Sequence, residues 1–299
     1  MPHSQQEIQD TYDAPAPPER RADLHVHSTC SDGRMTPSEV IDAAAAAELG
    51  AVALTDHDTV AGLAAAAAAA SSTSVTFVPG LELSTYDDTG STHLLGYGID
   101  ERNARLARFL EGALQDRVRR AEKMVDKLNR LGVEVALDDV LARTAENGLV
   151  ARPHVAQALL DGGWVKSYGE AFSRFIAAGA PAYVPTRRVP PEEGIRMIQH
   201  AGGVAVLAHG GRTHDDAAIV RLRDAGLDGL ETLHPDHGPL EVRRMRRLAA
   251  ELGLLESGGS DWHGPRDTRR GRLGEKPVPL EWCERLLDAV DARRTGSRT

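Results

Sequence analysis

The 299-residue chain has only two cysteines, no long apolar run and fewer basic than acidic residues. The cysteines, Cys30 and Cys283, predict no disulfide framework and suit a reducing cytoplasm. We expect no membrane span, because no stretch of roughly 18 apolar residues occurs. The formal net charge of −9 argues against broad binding to duplex nucleic acid.

The first 20 residues are polar, contain proline and lack the apolar core of a signal peptide, so we expect a disordered leader over 1–20. Beyond it, short apolar runs alternate with helical patterns, which is typical of βαβ units. The predicted strands cover 22–27, 51–55, 76–83, 93–97, 204–209, 229–233 and 254–258. These strands predict an α/β barrel.

Helix signals separate several of these strands. The helix predicted over 36–49 has Thr36 as its cap, Pro37 at its first position and Gly50 at its end. The pattern breaks over 100–183, where a long charged helix (104–131) precedes shorter helices at 137–146, 153–161 and 169–178. We therefore expect a helical insertion over 100–183 between barrel segments 21–99 and 184–292.

Histidines and carboxylates follow the predicted strands. His25 and His27 lie two residues apart, so they share one face of a strand, and Asp32 follows them. If the strands are parallel and close into a barrel, such groups meet at its carboxyl rim. Burying so many charges is costly unless cations neutralise them, and imidazole with carboxylate suits Zn, Mn and Fe. The sequence therefore predicts a metal site.

The ordered segments DLHVHSTCSDG, LTDHD, GLELS, a histidine, VLAH and GSDWH resemble the PHP (polymerase and histidinol phosphatase) family, especially its stand-alone nucleotide phosphoesterases. The resemblance runs from residue 21 to about residue 279. It implies a distorted (β/α)7 barrel with an inserted helical subdomain and two to three divalent ions of Mn, Fe or Zn. The implied ligands are His25, His27, Glu82 and Asp261 for one ion, Glu82, His93 and His209 for a second, and Asp32, His57 and His263 for a third.

Two strand-end segments depart from the family pattern or leave roles open. His209 is followed by glycines where many relatives have proline. The segment LHPDH, which contains His234 and His237, resembles the family's HPxH turn. We assign His234 and His237 to substrate contact or acid catalysis rather than to metal binding. Asp56, together with Asp58, is expected either to fix the His57 ring or to cap the next helix.

Substrate contacts are expected from the insertion. Arg152 and His154 stand at the start of a predicted helix, so a guanidinium and a helix N-terminus both become available to a phosphate. A similar RPH element faces the substrate in the relatives, and helix capping is the alternative role. Arg117 and Arg120 on the long helix are further candidates.

The expected activity is metal-dependent hydrolysis of phosphate esters of nucleotides. The substrate is a 3′,5′-bisphosphonucleoside or the 5′ end of a short oligonucleotide, and a water bridging two ions is the nucleophile. One alternative is a small-molecule phosphatase of the histidinol-phosphatase type, which the large insertion disfavours. Another is a non-catalytic accessory module, which the filled ligand positions disfavour. The native metal and the oligomeric state stay open.

Overall fold

The computed structural model describes residues 20–87, 90–144, 150–185, 188–265 and 271–296. Within these ranges the chain forms one eight-stranded sheet, in the spatial order β7-β6-β5-β4-β3-β2-β1-β8. The strands are β1 Arg21–Val26, β2 Ala51–Leu54, β3 Thr76–Tyr86, β4 Ser91–Tyr97, β5 Val204–Leu207, β6 Gly229–Leu233, β7 Leu255–Gly258 and β8 Val278–Pro279.

The sheet curls until its ends nearly meet. Just beyond β7, the carbonyl of Trp262 accepts the backbone N–H of His27 at 2.9 Å, and Val26 forms a parallel bridge with Trp262. The predicted seven-stranded barrel is confirmed in its strand positions. An eighth strand of two residues, β8, adds an antiparallel pairing to β1 that the sequence did not reveal.

Besides the short β8, β4 also runs against its neighbours, so the condition that the strands are parallel does not hold for every strand. β4 is antiparallel to both β3 and β5. A β3–β4 hairpin therefore replaces one βαβ crossover. As a consequence the start of β4, not its end, lies at the carboxyl rim, and His93 pairs there with Ser84 of β3.

The helices are α1 Pro37–Ala46, α2 Leu63–Ala70, α3 Ala104–Arg130, α4 Leu137–Leu141, α5 Arg152–Asp161, α6 Tyr168–Ala171 with a following π-helical turn Phe172–Ile176, α7 Pro191–His200, α8 Asp216–Asp224, α9 Pro239–Leu252 and α10 Leu280–Gly296. Thr36 caps α1 as predicted, and the Thr36 N–H donates to Glu39 at 2.8 Å. Gly50 does not end this helix, because α1 stops at Ala46 and the Gly50 N–H instead donates to Arg21.

Buried residues from the described parts of 121–182 form a hydrophobic core of their own, which includes Met124, Leu128, Leu159 and Ile176. The first turns of α3 belong instead to the barrel, because Leu106 packs in a cluster with residues of α7 and β5. These separate cores support the proposed helical subdomain, and we propose that its junction with the barrel lies inside α3. No helix among the described residues is long and apolar enough to cross a membrane.

Candidate metal centre

Glu82, at the carboxyl rim of β3, lies in the middle of a ring of imidazoles. Its side chain is 1 % exposed. Its two oxygens lie 2.7 to 3.3 Å from ring nitrogens of His93, His209, His57, His25 and His27. One carboxylate oxygen, Oε1, meets His93 and His209, and Oε2 meets the other three. Five imidazoles from the ends of four strands thus converge on a single carboxylate.

Asp261, which follows β7, is the second buried carboxylate of the cluster. Its Oδ1 lies 3.1 Å from His27 Nε2 and 3.5 Å from His25 Nε2. Asp261 and His209 both have positive φ, at 51° and 34°. Such backbone conformations are costly for residues other than glycine and concentrate at functional sites. Here they turn a carboxylate and an imidazole into the barrel mouth.

Asp32 holds the outer edge of the cluster. It is 57 % exposed, and its Oδ1 lies 3.1 Å from His263 Nε2. Its Oδ2 lies 4.0 Å from His57 Nε2. The structure therefore brings together all nine side chains that the sequence proposed as ligands, with Asp32 as the most accessible of them.

The donor set fits divalent cations. Several groups of ligand atoms lie within 4.8 Å of one another. One group is the proposed first site, and another is the proposed third site with His27 added. In a further group, Glu82 and His93 of the proposed second site lie with His57. Among the described residues, four buried imidazole nitrogens make no hydrogen bond: His27 Nε2, His57 Nδ1, His234 Nε2 and His263 Nε2. Leaving a buried nitrogen unsatisfied is unfavourable, and coordination to a cation satisfies it.

The charges of the cluster are set by burial and by the neighbouring groups. Burial alone would lower the pKa of His27, but the nearby carboxylates of Asp261 and Glu82 raise it to about 10. Burial would raise the pKa of Glu82, but the surrounding imidazoles hold it well below its usual value. Burial lowers the pKa of His57 to about 4. The centre thus offers ionised carboxylates and at least one neutral imidazole.

Two buried carboxylates that the sequence analysis left without a role support the centre. Glu231 of β6 accepts from His25 Nδ1 at 2.9 Å and from the His209 backbone N–H at 2.6 Å. Asp23 accepts from the backbone N–H groups of Ser260 and Gly274, at 2.9 and 2.8 Å. The signal was a carboxylate inside an otherwise apolar strand, since such a group is rarely buried without partners.

Asp56 does not contact the His57 ring, which differs from its expected role. Its oxygens accept from the Ser28 N–H at 2.7 Å, the Ser28 hydroxyl at 2.6 Å and the Ser31 hydroxyl at 2.6 Å. Both oxygens are thus engaged in anchoring the loop after His27, and the helix that follows, α2, has no side-chain cap. Asp58 also turns elsewhere, and it accepts from the Ser84 N–H at 2.7 Å.

His234 and His237 differ in what their rings contact. His234 Nε2 lies 3.4 Å from Asp261 Oδ2, and His234 also groups with His25 and Glu231 as a set able to hold an ion. His237 Nε2 accepts from the Gly211 N–H at 3.0 Å, while Nδ1 donates to the Thr232 carbonyl at 3.2 Å. His234 therefore borders the candidate centre, whereas both nitrogens of His237 bind the backbone.

The arginines proposed for substrate form a row on the helical subdomain. Arg117 pairs with Asp58, the neighbour of His57. The pKa of Arg120 is lowered by burial and then by the positive charge of Arg152. Arg152 lies over the rings of Phe172 and Tyr183, at 5.5 and 5.9 Å. Within the described residues, neither Arg120 nor Arg152 has a carboxylate partner, so both are suited to bind an anion.

His154 instead takes the alternative role that the sequence analysis left open. Its Nδ1 accepts the N–H of Ala151 at 3.0 Å, which caps the first turn of α5. This hydrogen bond uses one ring nitrogen of a half-buried side chain.

The barrel and its rim of imidazoles and carboxylates are those of a metal-dependent hydrolase of phosphate esters. The PHP domain model matches residues 23–111. The chain is 36 % identical over 278 residues to a 3′,5′-nucleoside bisphosphate phosphatase of Chromobacterium violaceum, which covers 91 % of this chain and 96 % of that protein. The chain belongs to the PHP family.

The chain is also similar to an exoribonuclease and to a solved structure of a phosphoesterase. The 5′-3′ exoribonuclease Rnm of Escherichia coli is 33 % identical over 81 % of this chain and 85 % of its own length. A solved structure from Bifidobacterium adolescentis, described as a candidate metal-dependent phosphoesterase, superposes with a TM-score of 0.77 at 32 % identity, covering 91 % of this chain and 97 % of that one.

Proposed function

We propose that the protein hydrolyses a phosphate ester of a nucleotide that carries a second phosphate group on the same ribose. A 3′,5′-bisphosphonucleoside fits this description, as does a short oligonucleotide attacked from its 5′ end. The observation that supports this choice is the row of arginines, Arg117, Arg120 and Arg152, which starts at the neighbour of His57. In the part of the chain that the structure describes, the guanidinium groups of Arg120 and Arg152 have no carboxylate partner.

The nine clustered side chains are the proposed ligands: His25, His27, Asp32, His57, Glu82, His93, His209, Asp261 and His263. When bound, divalent ions activate water and neutralise charge on the reacting phosphate. Glu82 holds five imidazoles around one carboxylate and so determines the spacing of the site. The number and identity of the ions are proposed as two to three of Mn, Fe or Zn.

The chain's own residues would bind the second phosphate and handle a proton. Arg152 and Arg120 would bind the second phosphate, since guanidinium groups match phosphate oxygens in geometry and charge. His234 borders the cluster on the Asp261 side and is the better of the two proposed acids, because the ring of His237 is held by the backbone.

The test compares substrates with and without Mn²⁺. A 3′,5′-bisphosphonucleoside, a 5′-phosphorylated trinucleotide, a nucleoside monophosphate, histidinol phosphate and bis-4-nitrophenyl phosphate would be assayed side by side. We expect Mn²⁺-dependent release of phosphate or of mononucleotide, fastest for one of the first two. Preference for histidinol phosphate would favour the small-molecule phosphatase, and inactivity on every ester would favour the accessory module.

An arginine pair tests the role of the second phosphate. Arg152→Ala should raise KM for the bisphosphonucleoside about tenfold or more, since a charged hydrogen bond contributes about 1.5–3 kcal/mol, and should leave the KM for the nucleoside monophosphate nearly unchanged. Arg174→Ala is the matched control, because Arg174 also lies over a phenylalanine ring on the subdomain but pairs with Glu170. An equal KM increase for both substrates would contradict the assignment.

A further inference from the structure

A cavity of about 230 Å³ lies between α3 and the end of β3. Asp58 and Ser84 form one side of it. Asp58 directly follows His57, and Ser84 is the cross-strand neighbour of His93. The cavity therefore adjoins the candidate metal centre, although none of the nine proposed metal ligands lines it.

Gly112 of α3 keeps part of this cavity open. It lies inside a 27-residue helix, where glycine is unfavourable relative to alanine. Its φ is not positive, so the backbone conformation does not require glycine. A Cβ atom added there would meet nothing within 4 Å, so packing does not require it either. The absence of a side chain at Gly112 leaves open space beside the helix.

The walls of the cavity combine apolar surface with guanidinium groups. Leu83, Phe109 and Val189 supply the apolar part, and Arg108 supplies a guanidinium group. Arg120 also lines the cavity, but its guanidinium group is proposed to bind the second phosphate. Aromatic faces and guanidinium planes are the surfaces on which nucleobases stack. The volume is below the roughly 300–1,000 Å³ typical of sites for drug-sized ligands. It therefore suits a single heterocycle better than a larger group.

We propose that this cavity binds the nucleobase of the substrate whose phosphate reacts at the rim of the barrel. The proposal rests on the proposed function, because it assumes a nucleotide substrate. It places the base against Phe109 and α3 and the reacting phosphate beyond His57, with Asp58 and Ser84 between them.

The experiment fills the cavity with a larger side chain and tests whether the nucleobase still lowers the KM of the substrate. Gly112→Phe would be assayed with a 3′,5′-bisphosphonucleoside and with the same ribose bisphosphate lacking its base. In the wild type we expect a lower KM for the nucleotide than for the abasic compound. In Gly112→Phe we expect the KM for the nucleotide to rise at least tenfold while the KM for the abasic compound stays within twofold. Ala107→Phe is the control, because residue 107 is exposed on the same helix.

A second variant covers the case in which Gly112→Phe does not fold. Phe109→Leu keeps an apolar wall but removes the stacking face, and it should weaken binding of a nucleoside monophosphate measured by calorimetry. An unchanged nucleotide KM in folded Gly112→Phe, or unchanged calorimetric binding in Phe109→Leu, would overturn the base site and leave the phosphoesterase assignment intact. Failure of the wild type on both bisphosphates and on the 5′-phosphorylated trinucleotide would instead remove the proposed function.

Discussion

Glu231 and His25 form a buried pair in which the carboxylate accepts from His25 Nδ1 at 2.9 Å and so directs His25 Nε2 toward Glu82 and Asp261. The other oxygen of Glu231 accepts the His209 backbone N–H at 2.6 Å. One carboxylate thus orients an imidazole of β1 and fixes the loop that carries an imidazole after β5.

We predict that Glu231→Ala weakens metal binding although it removes none of the nine proposed ligands. Loss of a carboxylate that orients a ligating histidine typically costs about 10–100-fold in metal affinity. Metal content after dialysis against graded chelator, measured by mass spectrometry, checks this. Glu256→Ala is the control, since Glu256 lies on the adjacent strand but pairs with Arg246 and Thr232. Equal metal retention in the two variants would contradict the prediction.

Glu82 and Asp32 should differ in how many ions they control. Glu82 is buried and contacts five imidazoles, whereas Asp32 is 57 % exposed at the edge with His263 and His57. We therefore predict that Glu82→Gln loses most of the bound metal and at least about 10³-fold in kcat, while Asp32→Asn loses no more than one ion per chain. Metal-to-protein ratios measured beside kcat decide this, and full metal content in Glu82→Gln would refute it.

The pH dependence of the metal-free protein follows from His27. Its folded pKa of about 10 exceeds the usual 6.5. The ion pairs that protonated His27 forms with Asp261 and Glu82 therefore contribute stability that is fully present below pH 6.5 and is lost as the pH rises through about 10. Ligation requires the neutral ring, so metal affinity should change in the opposite direction and increase with pH.

Two measurements separate these effects. Melting in excess chelator should show a falling Tm between pH 7 and 10. Calorimetric titration with Mn²⁺ in two buffers of different ionisation enthalpy should show proton release on binding. A Tm in chelator that rises over this interval, or binding without proton release, would show that His27 is not held protonated.

The sequence predicted which side chains converge at the rim better than it predicted the connections around them. Strand ends such as those at His25 and His209 were readable because apolar runs stop at ionisable residues. His93 stood at the start of its strand, a position that only the antiparallel β4 explains, and strand direction depends on long-range pairing. Glu231 was overlooked because a single letter does not reveal which partners a buried carboxylate will meet.

Local signals also failed where tertiary contacts took over. The N-terminal cap of α1 depends on Thr36 and Glu39 alone, and it was predicted correctly. The role of Asp56 depends on Ser28 and Ser31, which lie 28 and 25 residues away in sequence. Spacing along the chain cannot show that these side chains meet, so the expected contact with His57 rested only on adjacency.

His234 and His237 provide a final contrast between a group beside the centre and a group that holds the loop. We predict that His234→Ala lowers kcat about 10²-fold or more with the metal retained, as loss of a general acid would. His237→Ala should instead lower the free energy of unfolding by about 1–3 kcal/mol, because it leaves the buried Gly211 N–H without its acceptor. Metal content, kcat and urea unfolding would be measured on both variants. Metal loss in His234→Ala would make His234 a ligand, and an unfolding free energy unchanged in His237→Ala would show that its two backbone hydrogen bonds do not stabilise the loop.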